Sequence, residues 1–289
     1  MNFKTMSYLA GQFFSIFVPQ GLMEAALRFV AVPFGRAAGK FGPLRDNVRA
    51  ALSARGENDE IMVNWIACEN MKNFVSNLCD LAYTHRLTKA FIKGSVEVRG
   101  LGYLDGGLIA RKGVIIACAH VGNWELAGMT LARLGYPITA LALAHRQRLV
   151  NDAFQNKRQS NGVRVLFLGQ ESLKSCYRLL GENGILGMMG DLLFGTDGIP
   201  VNFLGKKVLY PKGIARFWAA TGAAVVPVFC FRTSANPRRY LLDIHEPLQS
   251  SSEEELTQAF ATLVENVVKQ RPEQWFNFKR YWEPPSCQN

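Results

Sequence analysis

The chain has 289 residues, of which 48% are hydrophobic and 19% are charged. This length and composition suffice to bury a full core and exclude an intrinsically disordered protein. The formal net charge is +10, and such a balance favours acidic partners: nucleic acid, anionic lipid headgroups or an acidic protein.

The N-terminal lead is apolar, with no charged side chain from residue 5 to residue 23. This stretch is about long enough to span a bilayer, although Gln12, Pro19 and Gln20 interrupt it. Three interpretations stay open: a marginal transmembrane helix, a helix lying in the membrane interface, and a buried first helix. We favour contact with a membrane, and we predict that residues 1–40 form a membrane-associated helical segment.

The remaining residues, 41–289, are predicted to form the main domain, helical over 41–90 and α/β over 91–289. Apolar side chains recur at helical spacing over 45–86. A polar break at 55–59 divides this region into two helices. Asn58 or Asp59 is placed to cap the second of them.

From residue 95 onward the pattern alternates between strands and helices. The predicted strands are 95–99, 114–119, 138–143, 163–168, 185–190, 225–232 and 240–244. The predicted helices are 124–134, 146–161, 171–180, 211–220 and 252–269, with a glycine-rich loop over 195–205. This alternation predicts an α/β fold whose mixed, mostly parallel central sheet is flanked by helices.

A histidine and a glutamate flank the turn after the predicted strand 114–119, in the stretch AHVGNWELAG. His120 leaves the strand, Asn123 is placed as the helix N-cap, and Glu125 falls in the first helical turn. A carboxylate bonded to one imidazole nitrogen raises the basicity of the other, which predicts a general base for a hydroxyl. The spacing alone equally fits an ordinary strand-end histidine beside an ordinary first-turn carboxylate.

AHVGNWELAG resembles the H-x4-D/E motif of the lysophospholipid acyltransferase superfamily, and most of all the H-x-G-N-W-E version of bacterial lipid A biosynthesis (late) acyltransferases. Three further segments are similar to that family: 96–120, 190–232 and the tail PEQWFNFKRYW. The resemblance covers roughly residues 95–283 and implies the family's fold and chemistry.

The resemblance implies that His120 deprotonates an acceptor hydroxyl, that Glu125 orients His120, and that the hydroxyl attacks a thioester carbonyl. It places Arg158 as the cation that stabilises the developing oxyanion. Arg146 and Arg148 compete for that role, and an ordinary solvated cation is the alternative for Arg158.

Asp191 matches the family's aspartate and is expected to position the acceptor sugar or an arginine; the alternative is a turn-capping aspartate. Asn123 and Trp124 match the motif as structural residues, a helix cap and a wedge. The segment LLFGTDG after Asp191 varies in the enzymes that the chain resembles, which leaves the acceptor open.

The resemblance predicts an O-acyltransferase at the cytoplasmic face of the inner membrane. It would move a fatty acyl chain from an acyl-carrier protein to a lipid A precursor, with no cofactor, metal or nucleic acid. Alternative acceptors are an aminolipid, a phosphoglycolipid and a mannosylated inositol lipid. A second alternative is a non-catalytic basic protein that binds lipid or nucleic acid.

Other signatures are missing from the sequence. It contains no G-x-x-x-x-G-K-[ST], no G-x-S-x-G and no H-E-x-x-H, which argues against P-loop, α/β-hydrolase and zincin chemistry. The six cysteines are scattered without C-x-x-C spacing, a pattern that fits a reducing compartment.

Overall fold

The computed structural model describes residues 15–144, 147–193 and 195–282. Its strands are β1 (Val96–Arg99), β2 (Val114–Cys118), β3 (Ile138–Ala142), β4 (Arg164–Phe167), β5 (Ile185–Met189), β6 (Gly198–Phe203), β7 (Lys206–Pro211), β8 (Ala224–Ala235) and β9 (Arg238–Ile244). Seven of them form one sheet in the order β1-β9-β8-β2-β5-β3-β4. Strands β6 and β7 form a separate antiparallel hairpin.

The helices in the described part of the chain are α1 (Gln20–Ala37), α2 (Phe41–Ser53), α3 (Glu60–Ala82), α4 (Lys89–Ser95), α5 (Leu101–Ile109), α6 (Trp124–Arg133), α7 (Arg148–Ser160), α8 (Gln170–Gly181), α9 (Gly213–Thr221) and α10 (Glu253–Gln270). Single 3₁₀ turns lie at Thr84–Arg86 and Pro272–Gln274. Asp59 caps α3 by accepting a hydrogen bond from the Ile61 N–H, as one of the two predicted capping residues.

The large sheet is mixed but mostly parallel, which confirms the predicted fold class. Strands β8, β2, β5, β3 and β4 pair in parallel, whereas β9 runs antiparallel to β8 and β1 pairs in parallel with β9. Helices connect the parallel neighbours, as such connections require. The carboxyl ends of β2, β5, β3 and β4 therefore meet at one edge of the sheet.

Strand β2 lies at the centre of the sheet and is buried on both faces, as its continuous apolar run predicts. Ile115 and Ala117 belong to the core beneath α8, α9, α10 and the β6–β7 hairpin. Val114 and Ile116 belong to the core on the opposite face. The residues that directly follow β2 are therefore attached to a strand that packs into a core on each face of the sheet.

Two sequence expectations are wrong between residues 195 and 213. The predicted glycine-rich loop contains the β6–β7 hairpin, in which Ile199, Val201 and Phe203 alternate inward while Pro200 is exposed. The helix predicted to begin at residue 211 begins at Gly213, because Pro211 pairs with Gly198 at the end of β7.

Helices α1, α2 and α3 pack around a third, smaller core that includes Leu44, Leu52, Val63 and Ala67. Residues 1–14 of the predicted apolar lead lie outside the described residues. Among the described helices, none combines the length and the apolar character that crossing a bilayer requires.

Candidate active site

The candidate site is built on the turn that joins β2 to α6. Gly122 adopts a φ of 67°, and a Cβ on it would lie 2.2 Å from the Cys230 carbonyl oxygen, so no larger residue fits there. Asn123 then caps α6, accepting a hydrogen bond of 3.0 Å from the Leu126 N–H. The predicted capping role of Asn123 is confirmed by this contact.

His120 and Asp191 form the central contact of the site. Strand β5 lies beside β2 with Met189 opposite Cys118, so Asp191 arrives two residues after the end of β5, next to His120. One Asp191 carboxylate oxygen lies 2.8 Å from His120 Nδ1, and the other accepts the His120 backbone N–H at 2.9 Å. Because Nδ1 donates to the carboxylate, Nε2 is the ring nitrogen that can take a proton from a substrate.

This contact differs from the arrangement expected from sequence, in which Glu125 orients the imidazole. The hydrogen-bonding carboxylate at His120 is Asp191, whose carboxylate is fully buried, while the His120 side chain keeps 23% of its surface exposed. The difference arises because β2 and β5 are neighbours in the sheet, a relation between residues 71 positions apart in sequence.

Electrostatics at the site raise the pKa of His120 above its ordinary value of 6.5. Burial is the largest single influence and lowers the pKa, because it disfavours the imidazolium. The Asp191 charge, the Asp191 hydrogen bond and the Glu125 charge together outweigh burial. Glu125 thus acts on His120 through its charge.

Glu125 and Arg158 form the second ion pair of the site. The Arg158 guanidinium donates to both Glu125 oxygens, at 2.8 Å and 2.5 Å, in the two-pronged geometry that is strongest for such pairs. Both side chains are about six-sevenths buried. The structure therefore brings Arg158, which lies in α7, to the helix turn that carries Glu125.

Of the two competitors of Arg158, Arg148 lies among the described residues and pairs with a carboxylate other than Glu125. The Arg148 side chain is 93% exposed and lies 3.7 Å from Asp152, one turn along α7. Arg146, together with His145, lies outside the described residues.

Trp124 packs beside the histidine as the predicted wedge. Its ring meets the His120 ring nearly edge-on, with 5.0 Å between the ring centres, and it also contacts Phe276 at 6.1 Å. Such contacts restrict the rotation of the imidazole. Trp124 therefore helps to hold His120 in the orientation that Asp191 selects.

The C-terminal segment contacts the β2–α6 turn, an arrangement that the sequence did not reveal. The Gly122 N–H donates to the Gln274 carbonyl at 2.8 Å, and the Phe276 N–H donates to the His120 carbonyl at 2.8 Å. The Tyr281 hydroxyl donates to the Asp191 carbonyl oxygen at 2.5 Å. The tail therefore contacts both His120 and Asp191.

Helix α3 fixes the same turn from the other side. Asn77 donates to the Gly122 carbonyl oxygen at 2.8 Å, and Asn123 donates to the buried carboxylate of Asp80 at 3.1 Å. The signal for these residues in the sequence was polar side chains on the buried stripe of an otherwise apolar helix. Helical spacing alone does not predict which neighbouring group a polar side chain contacts, so no prediction for Asn77 and Asp80 follows from the sequence.

The described residues bring no three His, Cys, Asp or Glu side chains together in a geometry that could hold a metal ion. The site does combine an imidazole that contacts a buried carboxylate with a guanidinium held by a second carboxylate.

Comparison with known proteins identifies a family and several relatives. A family model described as bacterial lipid A biosynthesis acyltransferase matches residues 3–283. The chain is 27% identical over 190 residues to a phosphatidylinositol mannoside acyltransferase of Mycobacterium tuberculosis, which covers 64% of this chain and 59% of that protein. It is 27% identical over 192 residues to the enzyme of the same name from Mycolicibacterium smegmatis, covering 65% and 62%.

A lipid A biosynthesis acyltransferase of Haemophilus influenzae is 24% identical over 190 residues, covering 65% of this chain and 59% of that protein. The matched region thus spans less than two thirds of the length of these relatives. Because the family model extends over nearly the whole sequence, from before α1 to beyond Tyr281, the chain belongs to the bacterial lipid A biosynthesis acyltransferase family.

Proposed function

We propose that the chain transfers a fatty acyl group from a thioester donor to a hydroxyl of a lipid acceptor, with His120 as the general base. The observation that carries this proposal is the His120–Asp191 pair at the carboxyl edge of the sheet. That pair has the geometry by which a buried carboxylate fixes the tautomer of a catalytic imidazole.

The chemistry follows from the pair. The acceptor hydroxyl oxygen attacks the thioester carbonyl carbon while its proton passes to His120 Nε2. The tetrahedral intermediate collapses by breaking the carbon–sulfur bond, and the imidazolium returns the proton to the departing thiolate. Asp191 stabilises the imidazolium between these two steps, as the raised pKa of His120 supports.

Arg158 is the proposed stabiliser of the oxyanion that develops on the carbonyl oxygen. Glu125 holds the guanidinium through two hydrogen bonds, so the cation is oriented before the substrate arrives. A preorganised charge of this kind contributes several kcal/mol to a barrier. On this proposal, Glu125 serves as the positioning partner of Arg158 and, through its charge, of His120.

An acyl chain has an apolar surface available beside the site. Leu143 follows β3, Leu168 follows β4, and Leu149 opens α7, and all three side chains are about half exposed. They lie at the same carboxyl edge as His120 because β3 and β4 continue the sheet beyond β5. Exposed apolar surface at a site edge favours a lipid ligand over a polar one.

For the acceptor we propose a lipid A precursor, on the strength of the family match and the Haemophilus influenzae relative. A mannosylated inositol lipid is the second candidate, because the two mycobacterial relatives at 27% identity carry that activity in their names. An aminolipid or a phosphoglycolipid comes after these two. For the donor we propose acyl-carrier protein, an acidic partner suited to a chain of net charge +10.

For the location we propose the cytoplasmic face of the inner membrane, and helix α1 supports this. Its outward side chains include Leu22, Phe29, Val30 and Phe34, which are 50–84% exposed, whereas Gln20 and Glu24 are buried. Apolar side chains outward and polar side chains inward are what a lipid environment favours.

The experiment that tests the proposal is acyl transfer by the purified full chain in mixed micelles. Acyl-carrier-protein thioester is the donor, and a lipid A precursor or a mannosylated inositol lipid is the acceptor. We expect product with the wild type and a loss of about a hundredfold or more with His120→Ala, the scale of general-base catalysis.

His85→Ala is the matched control, because His85 is a histidine exposed in the turn Thr84–Arg86. This control is expected to keep wild-type activity. Product formation that survives His120→Ala contradicts the proposal. If product forms only on the mannosylated inositol lipid, that lipid becomes the proposed acceptor instead of the lipid A precursor.

A further inference from the structure

Helix α1 is attached to the molecule through polar groups. The Gln20 side-chain amide donates to one oxygen of Asp80 at 3.1 Å. One Glu24 oxygen accepts from the Arg232 guanidinium at 2.7 Å, and the other lies 3.2 Å from Arg238. The Glu24 side chain is 93% buried in this position. The first turns of α1 are therefore held by charge and hydrogen bonds, whereas Ala31 farther along packs into the third core.

Asp80 receives bonds from several directions. Its second oxygen accepts from Arg232 at 2.8 Å, from the Tyr240 hydroxyl at 2.8 Å, and from the Asn123 side-chain amide at 3.1 Å. One carboxylate thus joins α1, strands β8 and β9, and the turn that begins α6. We name Gln20, Glu24, Asp80, Arg232, Tyr240 and Asn123 the polar clamp.

The last bond of the polar clamp reaches the catalytic helix. Asn123 caps α6 through the Leu126 N–H, and the Asn123 backbone N–H donates to the Cys230 carbonyl at 2.6 Å. The residues that follow the cap are Trp124, which packs on His120, and Glu125, which holds Arg158. A shift of Asn123 therefore moves contacts of both His120 and Arg158.

Charge balance makes α1 a necessary part of the clamp. With α1 seated, two carboxylates (Glu24 and Asp80) face two guanidinium groups (Arg232 and Arg238). Without Glu24, Arg238 loses its carboxylate partner and Arg232 retains Asp80, although the Arg232 side chain is only 7% exposed. An undercompensated buried cation draws its remaining partner toward itself, which competes with the Asp80–Asn123 bond.

We propose that Glu24 and Asp80 are positioning residues that make the catalytic helix depend on the seating of α1. A lipid surface that holds the apolar face of α1 then keeps Asn123 in place, so membrane contact and catalytic geometry are coupled through the polar clamp. The lipid part of this inference rests on the proposed function, whereas the coupling of α1 to Asn123 does not.

The test compares Glu24→Gln with Glu69→Gln in the full chain. Glu69 also binds α1, through Arg28 at 3.0 Å, but it has no bond to the polar clamp among the described residues, so it is the matched control. Hydrogen exchange at the Leu126 amide reports the Asn123 cap directly. We expect exchange there to rise about tenfold in Glu24→Gln and to stay within about twofold in Glu69→Gln.

Acyl transfer supplies the second readout. We expect Glu24→Gln to lower kcat about tenfold with KM for the donor unchanged, and Glu24→Asp, which keeps the charge, to recover most of the loss. Vesicles of phosphatidylcholine with phosphatidylglycerol should slow Leu126 exchange in the wild type and have no effect in Glu24→Gln. A thermal unfolding midpoint measured for each variant separates loss of the cap from loss of the fold.

Equal exchange at Leu126 in Glu24→Gln and Glu69→Gln overturns the coupling, whatever the activity. Vesicles that leave wild-type exchange unchanged overturn its lipid control. If Glu24→Gln does not fold, Gln20→Ala removes the direct bond from α1 to Asp80 while keeping Glu24, and an increase in Leu126 exchange is then expected. If the wild type is inactive but Leu126 exchange differs between Glu24→Gln and Glu69→Gln as expected, the proposed function is contradicted and the coupling is supported.

Discussion

Helices α1 and α10 each have 18 residues, yet they present opposite faces to the protein. Helix α10 buries Leu256, Phe260, Val264 and Val268, and three glutamates fill its exposed first turn. Helix α1 buries Gln20 and Glu24 and exposes Phe29 and Phe34. The first pattern is the normal result of burying apolar surface away from water. The second is the pattern expected if the outer face of α1 meets lipid, as we propose.

The contrast also separates two ways of attaching a helix. Apolar burial in α10 is non-directional, so small shifts of that helix cost little until packing is lost. The bonds of α1 are directional and depend on charges, so they transmit position to Asp80 and from there to Asn123. On this proposal, a change in the position of α1 changes the contacts of Asn123.

Arg232→Met should break the attachment of α1 most severely. The substitution removes the cation and leaves Glu24 and Asp80 buried without it. Removing one partner of a buried ion pair costs about 3–5 kcal/mol. We expect the free energy of unfolding to fall by this amount in denaturant titration. A fall under about 1 kcal/mol contradicts the view that charge holds α1.

A matched pair of leucine substitutions sharpens the comparison. Leu256 of α10 is 1% exposed and Leu22 of α1 is 65% exposed. Leu256→Ala should lower the free energy of unfolding by about 2–4 kcal/mol, because it removes buried methylenes and leaves a cavity. Leu22→Ala should change it by less than about 0.5 kcal/mol in detergent-free buffer. A large loss for Leu22→Ala would mean that the outer face of α1 is buried by protein.

The double variant Phe29→Ser with Phe34→Ser tests the outer face of α1 against lipid. Both side chains are more than half exposed, so the fold should keep its stability. Two phenyl rings that enter an interface contribute enough apolar area for a change of about tenfold in vesicle affinity. Flotation with anionic vesicles measures this, and unchanged partitioning of the variant contradicts the lipid-facing assignment.

The fold was largely predictable because the central strand β2 is a continuous apolar run and strands alternate with helices around it. Strand β2 is buried at all five positions. A continuous apolar run of that length between a glycine and a polar turn predicts a strand buried on both faces. The β6–β7 hairpin was missed because its glycines and Pro200 favour a loop, although its inward alternation was present.

The candidate site was predictable only in part, for a topological reason. His120 and the cap Asn123 follow from a local strand-turn-helix pattern. That Asp191 meets His120 depends on β5 lying beside β2, and strand order is not encoded in any local pattern. The inward face of α1 was hidden similarly, since an amphipathic sequence does not state which face meets solvent.

The smallest expected effect is a shift in the pH at which kcat/KM rises. Measured in two variants, this shift compares Asp191 with Glu125 as partners of His120. The base must be neutral to act, so kcat/KM should rise with pH through the folded-state pKa of His120, above 6.5. Asp191→Asn removes a charge and a hydrogen-bond acceptor, so it should lower that inflection. Glu125→Gln removes only the smallest of the influences that raise the pKa of His120, so it should lower the inflection less.

The sign of the linked stability change follows from the same pKa. Because the folded-state pKa of His120 is raised, the His120–Asp191 pair adds stability below about pH 6.5, which is lost as pH rises through the folded value. Unfolding measured at pH 5.5 and pH 8.5, values on either side of the ordinary histidine range, should therefore show a larger loss for Asp191→Asn at the lower pH. If Glu125→Gln shifts the inflection of kcat/KM with pH more than Asp191→Asn does, Glu125 is the carboxylate that orients His120. The contribution of the His120–Asp191 pair is then the smaller one.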